Sequence, residues 1–126
     1  MKISQVAGHQ FKAEYLDVEL ISGKVKDNSH YEGMSPGSLM VAALGMCTGM
    51  HIESYLSKNS VKFEGIEIEI KNRYERNPTR AVEFTLKVKV DGELSDEHRK
   101  GLLEEANRCY VGNTIKNTPT ITVKLE

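Results

Sequence analysis

The chain has 126 residues and a formal net charge of −1, with 17 lysines and arginines against 18 aspartates and glutamates. This length suits a single domain over residues 1–126, and the balanced charge argues against nucleic-acid binding and against a polybasic membrane contact. The first residues carry no signal-peptide pattern, and two cysteines suit a reducing compartment, so we expect a cytoplasmic protein that does not span a membrane.

The predicted elements of the first half follow from apolar and polar alternation and from one helix-start signal. Segment 11–21 alternates and predicts a strand or a hairpin, whereas the polar segment 22–33 predicts a loop. Ser35 followed by Pro36 is typical of a helix start, because serine caps the first turn and proline suits the first helical position. We expect this central helix to run to about Ser57.

The second half predicts two paired strands, a charged helix and a final strand. The predicted elements are, in order, a strand over 62–73, a turn at Asn77-Pro78, a strand over 82–90, a helix from Ser95 to about Arg108 and a strand over 120–125. Cys109 is expected to close the charged helix. Together these elements predict the α+β class.

The predicted central helix is apolar on all sides. No residue from Leu39 to Met50 is charged, so we expect the helix to be covered on every side, with a homodimer partner over one face. Gly45 and Gly49 lie four residues apart, which allows a second backbone to approach or merely accommodates a neighbouring side chain. Four of the five methionines lie within 34–50, which suits ordinary core packing or an apolar ligand pocket.

The two cysteines are the residues that suggest redox chemistry. A free cysteine in an apolar helix, such as Cys47, is usually a small hydrophobe, and a reactive one needs a nearby cation to stabilise its thiolate. His51 lies one helical turn after Cys47 and is the first candidate for this role, with Lys12 a further one. The four histidines are scattered without metal-ligand spacing, so we expect no metal and no other cofactor.

Several short segments of the chain together resemble the OsmC/Ohr family. They are Gly33–Pro36, Ala42–Gly45, Cys47–Thr48, Phe63–Ile66, Asp91–Leu94 and Ala106–Val111. The resemblance implies an OsmC-like fold, in which antiparallel sheets pack around a long buried central helix. It also implies an intertwined homodimer whose active sites lie at the subunit interface.

The same resemblance implies a thiol-dependent peroxidase that reduces organic hydroperoxides and hydrogen peroxide. Cys47 then matches the peroxidatic cysteine and Cys109 the resolving cysteine, and an external dithiol reduces the disulfide that they form. Peroxidatic members of the family carry a glutamate directly after the helix-starting proline, paired with an arginine from the N-terminal half. Gly37 stands in place of that glutamate, and the first arginine of this chain is Arg73.

Two alternatives to the peroxidase stay open at this point. The first is a non-catalytic dimer that holds a small hydrophobic ligand in an apolar, methionine-lined pocket or senses oxidants. A cation close to Cys47 would favour the enzyme, whereas dry and uncharged surroundings would favour the binding protein. The second alternative is purely structural and requires both cysteines to be core residues that lie far apart.

Overall fold

The N-terminal part of the chain forms a three-stranded antiparallel sheet. The computed structural model describes residues 1–26 and 30–126. The strands pair in the order β1-β2-β3 and are β1 (Lys2–Ala7), β2 (Gln10–Tyr15) and β3 (Val18–Ser22). The hairpin alternative for 11–21 is therefore confirmed. Strand β3 includes Ser22, and the rest of the predicted loop over 22–33 contains no helix or strand where it is described; residues 27–29 lie outside the described part.

Strand β1 is an element that the sequence analysis does not predict. Its apolar residues Ile3 and Val6 are three apart, which breaks the two-residue period of a strand. The pairing with β2 shifts register between Gln5 and Ala7. Such an irregularity places an extra residue in one strand, so a strand with a bulge does not show clean alternation.

The central helix α1 (Pro36–Lys58) begins and ends close to the predicted residues. The side-chain oxygen of Ser35 accepts a hydrogen bond from the Ser38 amide at 3.2 Å, which confirms the predicted helix cap. By length and composition α1 could cross a membrane, a test that the core helix of a soluble protein also passes.

Residues 43–126 form a compact unit by themselves, as do residues 1–42. Beyond α1, the elements of this C-terminal unit are β4 (Gly65–Glu75), β5 (Arg80–Asp91), α2 (Asp96–Ala106) and α3 (Tyr110–Lys116). Strands β4 and β5 form an antiparallel pair, which confirms the predicted hairpin. The Ser95 side chain accepts from the His98 amide at 3.1 Å, so the predicted start of α2 is also confirmed.

The end of the chain differs from the prediction in two respects. Helix α2 ends at Ala106, and Cys109 is the residue that caps α3, a helix that the sequence analysis does not predict. Residues 118–126, all of which the structure describes, form no strand. A strand needs a hydrogen-bonded neighbour, and alternation over 120–125 does not supply one. The apolar side chains of this segment are therefore exposed.

The core of the C-terminal unit forms where α1 meets α2. Ile52, Leu56 and Leu102 are buried there. A β-carbon at Gly45 would lie 2.7 Å from the δ-carbon of Ile70 on β4, so this glycine accommodates a strand side chain. The structure thus supports the second of the two alternatives for the glycine, namely contact with a neighbouring side chain.

We expect Leu56→Ala to lower the free energy of unfolding by about 2–5 kcal/mol, because it removes methyl groups from a fully packed position and leaves a cavity. Leu56 is 0 % exposed. Urea unfolding followed by circular dichroism measures this loss. The matched control is Ser57→Ala, an exposed position on the same helix, which should change stability by less than about 0.5 kcal/mol. Equal stabilities for the two variants would contradict the prediction.

Candidate active site at the two cysteines

The two cysteines come together in the C-terminal unit although they lie far apart in the sequence. Cys47 is half-buried in the middle of α1, and Cys109 is 2 % exposed at the start of α3. Both are free thiols, and the Cys47 side chain lies close enough to Cys109 to lower the pKa of its thiol. The two thiols are therefore neighbours, which is the first requirement for a disulfide between them.

Hydrogen bonds surround the sulfur of Cys109. Burial raises the pKa of this thiol, but hydrogen bonds from Cys47, from the Gly112 amide and from Thr48 outweigh it, and the pKa lies below its ordinary value. The Gly112 nitrogen is 3.3 Å from the sulfur. Cys109, for which the resemblance implies the resolving role, therefore ionises more readily than an ordinary cysteine.

Thr48 contacts both the helix backbone and the thiol. Its hydroxyl oxygen is 2.9 Å from the carbonyl oxygen of Leu44, to which it donates. A hydroxyl has one hydrogen, so donation to Leu44 and donation to Cys109 exclude each other at any moment. Thr48 is buried, and no sequence signal distinguishes it, because a threonine within a helix has no distinctive pattern.

Cys109 and Thr48 also line a cavity of about 540 Å³. Its walls are mainly apolar and include Leu44, Phe84, Leu86, Val88, Leu103 and Ile115. Asn107 and Lys116 add polar groups to the lining. A cavity of this size and composition suits a small, largely hydrophobic molecule with one polar end. Cys109 therefore adjoins a space that a small organic molecule could enter.

His51 is hydrogen-bonded to the Glu105 carboxylate on α2. Its Nδ1 atom is 3.1 Å from Oε1 of Glu105, and Oε2 of Glu105 is 3.5 Å from Nη1 of Arg108. The hydrogen bond from His51 is the largest cause that holds the pKa of Glu105 below its ordinary value. The sequence predicts only a charged helix here. No local signal separates Glu105 from its exposed neighbour Glu104, except that Glu105 lies one turn before Cys109.

Lys12, the other candidate cation, is paired with carboxylates. Lys12 is on β2 and pairs with Glu14 and Glu19, each at 3.1 Å, so two carboxylates offset its charge. The hydrogen bonds to Glu14 and then Glu19 raise the pKa of Lys12.

Within residues 1–26 and 30–126, no three histidine, cysteine or acidic side chains are grouped to hold a metal ion.

We expect the stabilising effect of Glu105 to disappear in acid. Because the pKa of this carboxyl is lower in the folded chain than its ordinary value of 4.5, its interactions stabilise the fold above that pH and are lost as the pH falls below it. Wild type should therefore be more stable than Glu105→Gln near neutral pH, and the two should converge as the pH falls well below 4.5. Urea unfolding measures the difference, and Glu104→Gln is the matched control. A gap between wild type and Glu105→Gln that stays constant with pH would contradict the prediction.

Comparisons with known proteins agree with this fold. A protein of Methanocaldococcus jannaschii is 28% identical over 124 residues, which covers 90% of this chain and 66% of that protein. This chain thus spans slightly less than two thirds of that relative's length. A crystal structure of a protein from Psychrobacter arcticus has a TM-score of 0.79 at 22% identity, covering 90% of this chain and 85% of that one.

Other similar structures are named for hydroperoxide resistance. The organic hydroperoxide resistance protein OhrB of Bacillus subtilis has a TM-score of 0.58 at 14% identity, covering 93% of this chain and 89% of that chain. At such identities these structures support the fold alone. The model of the OsmC-like protein family matches residues 26–124, which is most of the sequence. The chain therefore belongs to the OsmC-like protein family.

Proposed function

We propose that the protein is a thiol-dependent peroxidase that reduces organic hydroperoxides and hydrogen peroxide through Cys47 and Cys109. The observation that carries the proposal is that the Cys47 side chain lies beside the Cys109 thiol and lowers its pKa, while the Gly112 amide donates a hydrogen bond to the Cys109 sulfur. Membership of the OsmC-like family supports it, since some proteins with this fold are named for organic hydroperoxide resistance.

The proposed cycle has three steps. The Cys47 thiolate attacks one peroxide oxygen, the O–O bond breaks, and the other oxygen leaves with a proton as an alcohol, or as water when the substrate is hydrogen peroxide. The Cys109 thiolate then attacks the sulfur of the resulting sulfenic acid, which forms the disulfide and releases hydroxide that is protonated to water. An external dithiol reduces the disulfide by thiol–disulfide exchange. The cycle requires no metal and no organic cofactor.

The cavity beside Cys109 supports an organic substrate. Its apolar walls suit the alkyl part of a hydroperoxide, while the Cys109 thiol and Thr48 add polar groups to its lining. The same cavity also favours the second candidate function, in which the protein binds a small hydrophobic ligand without catalysis. The two candidates differ in whether peroxide oxidises the thiols.

The proposed assembly is an intertwined cytoplasmic homodimer. Met40, Met46 and Met50 are exposed on α1 in the single chain, with Met50 at 70%, which supports a second copy as the cover of this face. We expect Met50→Glu to convert the dimer to a monomer in sedimentation equilibrium, because burying an unpaired charge at an interface is costly. Ser57→Glu, an exposed position on the same helix, should remain dimeric. A monomeric wild-type chain would contradict the assembly.

A single experiment tests the proposed function. The reduced protein is freed of reductant, mixed with one equivalent of cumene hydroperoxide, and followed by thiol titration and intact mass. Loss of both thiols with a mass decrease of about two hydrogens would support the peroxidase, since disulfide formation removes one hydrogen from each thiol. Unchanged thiols would overturn it and leave ligand binding as the better candidate.

A further inference from the structure

The carboxylate of Glu105 connects the surroundings of both cysteines. It accepts a hydrogen bond from His51, which lies one helical turn after Cys47 on α1. It also pairs with Arg108, which directly precedes Cys109. The side chains of His51 and Glu105 are only 31% and 23% exposed, so this contact is partly shielded from solvent. The neighbouring Glu104 is exposed, so of these two adjacent glutamates it is Glu105 that bridges His51 and Arg108.

This contact determines which nitrogen of His51 can act as a base. An ionised carboxylate only accepts hydrogen bonds, so the Nδ1 atom that faces Glu105 must carry a hydrogen. In the neutral imidazole the other nitrogen, Nε2, is then unprotonated and can accept a proton. When it does so, the Glu105 carboxylate stabilises the imidazolium that forms, as in other pairs of a histidine with a carboxylate.

The spacing on α1 brings this base near the thiol. Residues four apart on a helix have β-carbons about 5–6 Å from each other, which is within reach of an imidazole and a thiol. The apolar β4 side chains Ile70 and Ile68 pack at Gly45 and Gly49 of the same helix. The charged groups that act on Glu105 are His51, Arg108 and Lys58, and the other thiol at the site is that of Cys109.

We propose that Glu105 is a positioning residue that holds His51 with Nε2 ready to take the proton of the Cys47 thiol. His51 and Glu105 would thus replace the arginine and glutamate pair that the sequence lacks. The step is a proton transfer from sulfur to nitrogen that leaves a thiolate and an imidazolium, and it involves no oxidation. The inference rests on the proposed function for its purpose, but the proton transfer can be measured without peroxide.

The test is the rate at which iodoacetamide alkylates Cys47, resolved from Cys109 by peptide mass spectrometry, between pH 6 and pH 10. Near pH 7 we expect Glu105→Ala and His51→Gln each to slow this alkylation about tenfold, and the double variant to slow it no further, because the two residues act as one unit. Glu105→Gln retains an acceptor oxygen without the charge and should fall between wild type and Glu105→Ala. Glu104→Ala is the matched control and should alkylate at the wild-type rate.

The pH dependence separates this role from a structural one. Above about pH 9.5 an unassisted thiol ionises by itself, so all variants should converge there if Glu105 acts through proton transfer. An unchanged rate in Glu105→Ala at pH 7, or an equal reduction at every pH, would overturn the inference. If the alkylation rates converge at high pH but cumene hydroperoxide does not oxidise the thiols, the inference is supported and the proposed function is refuted. If the protein reduces peroxide but Cys47 of Glu105→Ala is alkylated at the wild-type rate, the proposed function is supported and the inference is refuted.

Discussion

Cys47→Ser is expected to reduce peroxide consumption to the uncatalysed background. The serine hydroxyl is not ionised near neutral pH and cannot replace a thiolate as the nucleophile that breaks the O–O bond. The measurement is the loss of cumene hydroperoxide in the presence of excess dithiothreitol, followed with a ferrous-iron assay. The substitution exchanges sulfur for oxygen and should leave the fold intact, which circular dichroism checks.

Ala43→Ser is the matched control for this experiment, because it adds a hydroxyl at an exposed position of the same helix one turn before Cys47. The control should consume peroxide at the wild-type rate. Full steady-state activity in Cys47→Ser would refute the mechanism, since the only remaining thiol in that variant is Cys109.

Cys109→Ser is expected to consume one equivalent of peroxide and then stop when no thiol is added. Cys47 can still attack the peroxide, but the sulfenic acid that forms lacks the neighbouring thiolate that would convert it to a disulfide. The intact mass should rise by one oxygen atom, and dimedone should trap the oxidised residue as an adduct at Cys47. Under the same conditions wild type should show the disulfide and no adduct.

The outcome of this variant also separates the roles of the two thiols. Because the pKa of Cys109 is lowered, its thiol ionises more readily than an ordinary cysteine, which suits attack on a sulfenic acid at Cys47. If dimedone labelled Cys109 in the Cys47→Ser variant and nothing labelled Cys47 in Cys109→Ser, the peroxidatic and resolving roles would be the reverse of those that the resemblance implies. A disulfide-linked dimer of Cys109→Ser chains would indicate that Cys47 is resolved by a partner.

Local sequence signals were sufficient for most of the secondary structure. Ser35 and Ser95 cap the starts of α1 and α2 through their own side chains, and such bonds involve residues only three positions apart. Alternation predicted the β4–β5 hairpin for a similar reason, since the two strands are neighbours in the chain. Helix α3 and the absence of a strand over 120–125 were not predicted, because a short helix has few periodic residues and a strand depends on a partner.

The sequence by itself determined the α+β class, the uncharged central helix and the presence of one thiol within it. It also carried the resemblance through which Cys109 was paired with Cys47. Only the tertiary structure decided that the Cys47 side chain lies beside the Cys109 thiol and that Glu105 hydrogen-bonds to His51. These contacts join residues from separate helices, and their geometry depends on how the helices pack, which a local pattern does not encode.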